Sequence, residues 1–114
     1  MRVLLTGSSG WLGQTLGPML GKAGHEVVGL DLTPGPSTRV LGSVTDAALV
    51  QRIVLERRIE AIIHAATLHK PHVESESRSA FVATNVQGTL NLLEAATAPG
   101  ARVDRFVFTS TTSL

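Results

Sequence analysis

Short runs of consecutive apolar residues alternate along the chain with longer segments whose apolar residues recur at helical spacing. This alternation is typical of parallel strands joined by crossover helices. Apolar residues that are consecutive, instead of alternating with polar ones, indicate strands buried on both faces. The pattern predicts five strands: Arg2–Thr6, Val27–Asp31, a weak strand Arg39–Leu41, Ala61–Ala65 and Arg105–Thr109.

The first predicted helix follows the first strand. It begins near Gly10 or Trp11 and ends by Gly24, since glycine commonly follows the last turn of a helix. Pro18 lies inside it and has no backbone donor. We therefore expect a kink or an interruption at that position.

Two further helices fill the later gaps. One starts with Thr45 or Asp46 as its cap and runs to about Arg58, and the longest covers roughly Ser79–Thr97. Their apolar positions at helical spacing are Leu49, Ile53 and Val54 in the former, and Phe81, Val82, Val86, Leu90 and Leu93, next to Glu94, in the latter.

These elements predict the α/β class, with one Rossmann-type, doubly wound parallel sheet over residues 1–114. Right-handed crossovers arrange the strands in the order 3-2-1-4-5. The direction of winding then changes between strands one and four, and ligands bind at such a switch point.

The segment Thr6–Gly13, which reads TGSSGWLG, lies between the first strand and the first helix. Gly7 permits a tight turn, Gly10 leaves room for a pyrophosphate, and Gly13 lets the helix pack closely on the sheet. The amino end of the helix offers free N–H groups to phosphates. The segment predicts a dinucleotide site, and a glycine-rich turn without a ligand is the alternative.

Asp31 ends the second strand, 18 residues after Gly13. A carboxylate at this spacing accepts hydrogen bonds from the adenosine ribose, and it repels a 2′-phosphate. The cofactor expected is therefore NAD, with NADP less favoured. Arg39 could compensate a 2′-phosphate if the loop Pro34–Ser37 folds back, and a plain polar strand end is the alternative for Asp31.

Composition narrows the function further. The chain has 114 residues, 43% of them hydrophobic, a formal net charge of +1 and no cysteine. Cysteine nucleophiles, disulfides and thiolate metal sites are excluded. No segment has the length of a membrane span, and the charge does not favour nucleic acid. We expect a cytoplasmic protein with neither membrane nor nucleic-acid partners.

Histidines offer a weaker candidate site. His69 and His72 lie close together in a loop before Glu74 and Glu76, and such side chains could bind a metal ion. Polar loops of this kind are more often solvated, and a loop after strand four would border a substrate mouth. We expect no metal there. His64, on a buried strand, is expected to be a hydrogen-bonded core residue.

With the glycine segment and Asp31, three further segments occur in one order: residues 63–66 (IHAA), residues 85–94 (NVQGTLNLLE) and residues 106–111 (FVFTST). Together they resemble the amino-terminal part of an extended short-chain dehydrogenase/reductase, of the NAD-dependent epimerase/dehydratase group. The resemblance covers essentially the whole chain.

The resemblance implies roles on the adenosine side of the cofactor. Trp11 and Leu12 would donate backbone N–H groups to the pyrophosphate. Ser43 and Val44 would lie beside the adenine ring. The family usually has an aspartate where this chain has Ser43, and nearby Asp46 is the alternative contact.

On the nicotinamide side, the resemblance implies that Ala65, Ala66 and Thr67 line the ribose and the diphosphate. Small residues suit a place where a ligand approaches the backbone. The resemblance also places the Asn85 amide near the cofactor. A solvent-facing helix residue is the alternative for Asn85, because asparagine is mostly exposed.

Thr111 matches the catalytic hydroxyl of the family, which hydrogen-bonds the substrate oxygen that is oxidised or reduced. Ser110 and Thr112 are near alternatives, and a polar strand end is the plain reading. The family also uses a Tyr-x-x-x-Lys pair as general acid/base. This chain has no tyrosine, and Lys22 and Lys70 cannot form the pair. We therefore expect a fragment that binds cofactor without turning over substrate.

The function predicted is the NAD-binding part of an epimerase, dehydratase or dehydrogenase. Hydride transfer would act on a small-molecule substrate, a nucleotide sugar or a related secondary alcohol, and the full-length protein could form a homodimer. A dinucleotide-sensing or scaffold module without chemistry is the alternative. A third reading is an empty glycine loop in a purely structural domain.

Overall fold

The central sheet is parallel throughout. The computed structural model of the protein describes residues 1–66, 79 and 83–109. Within them the strands are β1 (Arg2–Thr6), β2 (Glu26–Asp31), β3 (Thr38–Leu41), β4 (Ala61–His64) and β5 (Arg105–Phe108). Their order, β3-β2-β1-β4-β5, confirms the predicted topology, and every strand end lies within one residue of its predicted place.

Three α-helices and one π-helical turn are found in the described residues: α1 (Trp11–Lys22), α2 (Ala47–Glu56), the π-helical turn (Ala83–Gln87) and α3 (Gly88–Ala96). Of the two predicted caps of α2, Thr45 and Asp46, it is Asp46 that caps the helix, and its carboxylate accepts the N–H of Leu49 at 3.1 Å. An aspartate at this position satisfies one of the amides that a helix leaves free at its start.

Helix α1 runs through Pro18 as one helix, so the predicted interruption is wrong, and a kink there stays a prediction. A proline costs a helix one backbone hydrogen bond and crowds the carbonyl four residues earlier. The exposed position of Pro18 offers a physical reason for the continuity, because water can then replace the lost partner. Tertiary packing of α1 on β1 and β2 outweighs the local preference.

The third helix differs from its prediction in two respects. Residues Ala83–Gln87 are π-helical, and the buried face of the following helix is not the predicted apolar stripe. Val86 is 63% exposed, and Leu90 and Leu93 are also exposed. The buried residues are instead Gly88, Asn91, Leu92 and Ala95. Small residues on this face allow α3 to pack closely against α2.

Helices cover both faces of the sheet, as a doubly wound fold requires. Leu4 belongs to the apolar cluster that includes residues of α2 and α3. Leu5, the next residue of the same strand, points to the other face and lies near Gly17 of α1. In the described part of the chain, no helix has the length and hydropathy needed to cross a membrane.

The opposite environments of two neighbouring leucines on α3 generate a stability prediction. Leu92 is fully buried, whereas Leu93 is 44% exposed. We expect Leu92→Ala to lower the free energy of unfolding by about 2–5 kcal/mol, because the substitution leaves a cavity in the core. The matched control, Leu93→Ala, should cost clearly less. Urea unfolding followed by circular dichroism measures both, and equal losses would contradict the described packing.

Candidate dinucleotide-binding site

Two glycines of the turn after β1 are required by packing. Gly7 has a φ of +71°, and a Cβ at this position would lie 2.8 Å from the carbonyl carbon of Ala65. A Cβ on Gly13 would overlap the Gly7 carbonyl. The predicted tight turn and close helix approach are thus present. Together they bring the amino end of α1 over the space between β1 and β4, which is the switch point of the sheet.

Gly10 differs from the other two. Its φ is −79°, and a Cβ on it would meet only the Gly7 carbonyl, at 3.3 Å. It is also exposed. The fold itself therefore demands much less of this position than of Gly7 or Gly13, and the absence of a side chain leaves the front of the helix open.

The amino end of α1 has free donors. Gly10 is its cap residue and supplies no side-chain hydrogen bond. The first intrahelical amide bond runs from Gln14 to the Gly10 carbonyl, at 2.9 Å. The amides of Trp11, Leu12 and Gly13 precede it and have no acceptor within the helix. An open helix end of this kind fits a phosphate group.

Asp31 ends β2 beside this helix end. One carboxylate oxygen accepts the backbone N–H of Ser9 at 3.0 Å, and the other accepts the N–H of Thr33 at 3.2 Å. These bonds fix the orientation of the carboxylate without using all of its acceptor positions. A half-buried carboxylate next to Thr6–Gly13, the candidate phosphate loop, can accept further hydroxyl donors.

Three hydroxyl groups that the sequence analysis did not single out tie the β2–β3 loop to the phosphate loop. Thr38 bonds through its hydroxyl to those of Ser8 and Ser9, at 2.5 and 2.6 Å. Ser9 also donates to the carbonyl of Thr33 at 2.7 Å. The loop after β2 therefore folds back, and Arg39 lies exposed on the strand that follows. Ser8 and Ser9, two hydroxyl residues between Gly7 and Gly10, were the feature of the sequence that could have indicated these contacts.

The predicted adenine contacts lie in the turn between β3 and α2. The Ser43 hydroxyl accepts the N–H of Thr45 at 3.1 Å, and the Val44 side chain is buried. The buried amide of Asn91 donates to the Val44 carbonyl at 2.9 Å. Sequence reasoning missed Asn91, whose position in α3 gave no indication of this contact. Asp46, the predicted substitute contact, caps α2 with one carboxylate oxygen.

The carboxyl end of β4 is held by a buried polar group. His64 is fully buried, and its Nδ1 lies 2.7 Å from the hydroxyl of Thr6. That hydroxyl also accepts the N–H groups of Ala65 and Ala66, at 3.0 and 3.1 Å. Burial lowers the pKa of His64 to about 4, so the ring is neutral at pH 7. The expectation of a hydrogen-bonded core histidine is confirmed.

Asn85 lies half-buried in the π-helical turn, and its carbonyl accepts the hydroxyl of Thr89 at 2.8 Å. The other ring nitrogen of His64 lies 3.0 Å from the same Thr89 hydroxyl. This contact joins the turn to the end of β4. Single π-helical turns occur frequently at functional sites.

Several predicted residues lie outside the described ones. They include Thr67 on the nicotinamide side and the candidate catalytic Thr111, with its alternatives Ser110 and Thr112. The loop from His69 to Glu76 lies outside as well. Among residues 1–66, 79 and 83–109, no three His, Asp or Glu side chains come together as a metal site.

The parallel sheet, the open helix end at its switch point and the carboxylate after β2 define a Rossmann domain of the dinucleotide-binding class. Comparison with known proteins specifies the class. A model of the NAD dependent epimerase/dehydratase family matches residues 3–114, and the chain belongs to this family.

Individual relatives have different activities. A 3-beta-hydroxysteroid dehydrogenase of Mycolicibacterium neoaurum is 36% identical over 123 residues, covering 99% of this chain and 32% of that protein. A UDP-glucose 4-epimerase of Klebsiella pneumoniae is 32% identical over 129 residues, covering 100% of this chain and 91% of that protein.

A solved structure has the same fold. A short-chain dehydrogenase/reductase superfamily protein of Agrobacterium tumefaciens, crystallised with bound NAD, superposes with a TM-score of 0.81 at 33% identity. The match covers 97% of this chain and 33% of that one. The chain thus spans about a third of the length of the steroid dehydrogenase and of the solved structure.

The glycine turn generates a stability prediction. Gly7→Ala should lower the free energy of unfolding by more than about 1 kcal/mol, because it combines a left-handed backbone with contact against the Ala65 carbonyl. Gly21→Ala is the matched control in α1, where a Cβ would meet nothing within 4 Å. It should stabilise the helix by up to about 1 kcal/mol. Denaturant unfolding distinguishes the opposite signs, and equal signs would contradict the described turn.

His64 generates a pH prediction. Burial lowers its pKa from the ordinary value of 6.5 to about 4 in the folded protein, so the unfolded chain binds the proton more readily. The free energy of unfolding should therefore fall as the pH falls from above 6.5 towards 4. At pH 5 the loss amounts to about 2 kcal/mol relative to pH 8.

The matched variant for this measurement is His64→Gln, which lacks the titrating ring. Urea unfolding at pH 8 and pH 5 should show a smaller loss in the variant than in the unaltered protein. The same loss in both proteins would show that other groups cause it.

Proposed function

We propose that this chain binds NAD and forms the cofactor-binding part of an enzyme that oxidises a secondary alcohol of a nucleotide sugar to a ketone, or reduces that ketone in the reverse direction. The observation that carries the proposal is the open amino end of α1 at the switch point, with Gly10 in front and Asp31 beside it. Bound NAD would supply the hydride acceptor. The residues of this chain supply its binding and orientation.

The amides of Trp11, Leu12 and Gly13 would donate to the pyrophosphate. The partial positive charge at the helix start favours an anion there. Among the described residues no side chain caps this helix end with a hydrogen bond, and Gly10 adds no Cβ. The backbone can therefore approach the phosphate oxygens directly.

Asp31 would accept the hydroxyl groups of the adenosine ribose. Its bonds to Ser9 and Thr33 hold the carboxylate at the edge of the phosphate loop. A 2′-phosphate in this place would bring two negative charges together, so NAD is the preferred cofactor. Ser43 and Val44 would border the adenine, with Asn91 fixing their turn from α3.

On the other side of the switch point, Ala65, Ala66 and Thr67 would line the nicotinamide ribose, with Asn85 near the ring. Thr111 would hydrogen-bond the substrate oxygen during hydride transfer. The chain contains no tyrosine, and we propose that these 114 residues bind the cofactor without turnover.

The substrate class has two candidates. The Klebsiella pneumoniae relative is a UDP-glucose 4-epimerase and supports a nucleotide sugar. The Mycolicibacterium neoaurum relative is a 3-beta-hydroxysteroid dehydrogenase and supports a hydroxysteroid as the second candidate. Both are secondary alcohols, so the same hydride chemistry serves either.

Gly10→Ala tests the phosphate site. We expect NAD affinity to fall at least about tenfold, or about 1.4 kcal/mol, because the methyl group holds the pyrophosphate away from the helix amides. The control is Gly21→Ala, in the last turn of the same helix, which should bind as the unaltered protein does. Isothermal titration calorimetry measures all three. Unchanged affinity in Gly10→Ala, or no NAD binding by the unaltered protein, would refute the proposal.

Asp31→Asn tests cofactor choice. The unaltered protein should bind NAD at least about tenfold more tightly than NADP, and the variant should lose most of this preference with the negative charge. Asp104→Asn, an exposed carboxylate just before β5, is the control for loss of one charge. Titration of each protein with both cofactors gives the ratio. Tighter NADP binding by the unaltered protein would exclude the assignment.

A further inference from the structure

His64 lies outside the phosphate loop, yet through Thr6 and Thr89 it links two segments that would border the nicotinamide half of the cofactor, the residues after β4 and the π-helical turn. Its Nδ1 meets the Thr6 hydroxyl at the end of β1, and its Nε2 meets the Thr89 hydroxyl in α3. The ring also contacts Phe108 of β5, with a centroid distance of 5.8 Å. A buried imidazole therefore connects the ends of two strands with the start of a helix.

The hydrogen atoms in this group can be placed from the contacts. The Thr6 hydroxyl is approached by two amides, from Ala65 and Ala66, of which the first is shared with the Thr6 carbonyl at 3.2 Å. A hydroxyl has one hydrogen and two acceptor positions. The two amides fill both acceptor positions, so the Thr6 hydroxyl donates its hydrogen to Nδ1 of His64. If Nδ1 carried a hydrogen, it would be a third donor, and the buried O–H would have no acceptor.

The hydrogen bonds on the Nε2 side of the ring run in the same direction as those on the Nδ1 side. With Nδ1 as acceptor, the neutral ring carries its hydrogen on Nε2 and donates it to the Thr89 hydroxyl at 3.0 Å. Thr89 donates its own hydrogen to the carbonyl of Asn85, four residues earlier, at 2.8 Å. Each buried donor has one acceptor, so a single tautomer satisfies the whole group.

We infer that His64 is a positioning residue for the nicotinamide half of the cofactor. As the Nε2–H tautomer, it connects the end of β4, which is followed by Ala65 and Ala66, to the π-helical turn that contains Asn85. The inference rests on the proposed function. His64 touches no part of the cofactor itself, and it acts by fixing the distance between the two walls of this half of the site.

The lowered pKa of His64 agrees with this role, because protonation would turn Nδ1 into a second donor facing the Thr6 hydroxyl. No charged side chain of the described residues hydrogen-bonds to the ring or contributes to this shift. The groups that face the ring are Thr6 from β1, Thr89 from α3 and Phe108 from β5.

The test compares NAD with ADP, which contains the adenosine and both phosphates without the nicotinamide riboside. Thr89→Val removes the hydroxyl that receives the His64 hydrogen and keeps the shape of the side chain. We expect it to weaken NAD at least about fivefold and to leave ADP within about twofold of the unaltered protein. His64→Leu should change the NAD/ADP ratio in the same direction, and His64→Gln, which keeps an amide donor, should recover part of it.

Thr97→Val is the matched control. Thr97 directly follows α3 and, like Thr89, donates its hydroxyl to the carbonyl four residues earlier, at 2.9 Å, but it is exposed and at the opposite end of the helix from Asn85. Calorimetry with both ligands, on proteins whose folded state is checked by circular dichroism, gives the ratio for each variant. An unchanged NAD/ADP ratio in folded Thr89→Val overturns the inference while leaving the proposed function intact. Failure of the unaltered protein to bind either ligand overturns both.

Discussion

The turn that follows β1 lies directly on the backbone that follows β4, and the arrangement of the site depends on this close approach. Gly7 can take part because it has no Cβ to meet the Ala65 carbonyl, and Gly13 then rests on Gly7. The two contacts fix where α1 starts. They also bring Thr6 close enough to Ala65 and Ala66 for its hydroxyl to accept both amides. One tight turn thereby sets both the start of α1 and the position of the residues that follow β4.

Most of the backbone could be predicted because its determinants are local. Strands such as Arg2–Thr6 consist of consecutive apolar residues, and Asp46 has the side chain and the position of a helix cap. The turn after β1 could also be predicted, since the spacing of Gly7, Gly10 and Gly13 suits both a left-handed turn and close packing. The family resemblance added the order of the segments. By contrast, Pro18 indicated a break that tertiary packing overrides.

The contacts that hold the candidate site together could not be predicted from the sequence, because they join residues that are distant in it. Asn91 bonds to the carbonyl of Val44, 47 positions away, and Thr6 bonds to His64, 58 positions away. Residue type alone assigns asparagine to the surface and histidine to either environment. The π-helical turn was also missed, and the stripe through Val86, Leu90 and Leu93 proved exposed although it has helical spacing.

The central place of β1 in the sheet has a consequence for biosynthesis. Arg2–Thr6 emerges from the ribosome before either strand that pairs with it, and one of these neighbours, β4, ends only at His64. At typical elongation rates, about 3 to 12 s separate the two segments. During that interval an apolar strand has an unpaired edge, and parallel pairing across so many residues is intrinsically slow. The nascent chain is therefore prone to aggregation through β1 until β4 has been synthesised, and chaperone binding to β1 during that interval would protect it.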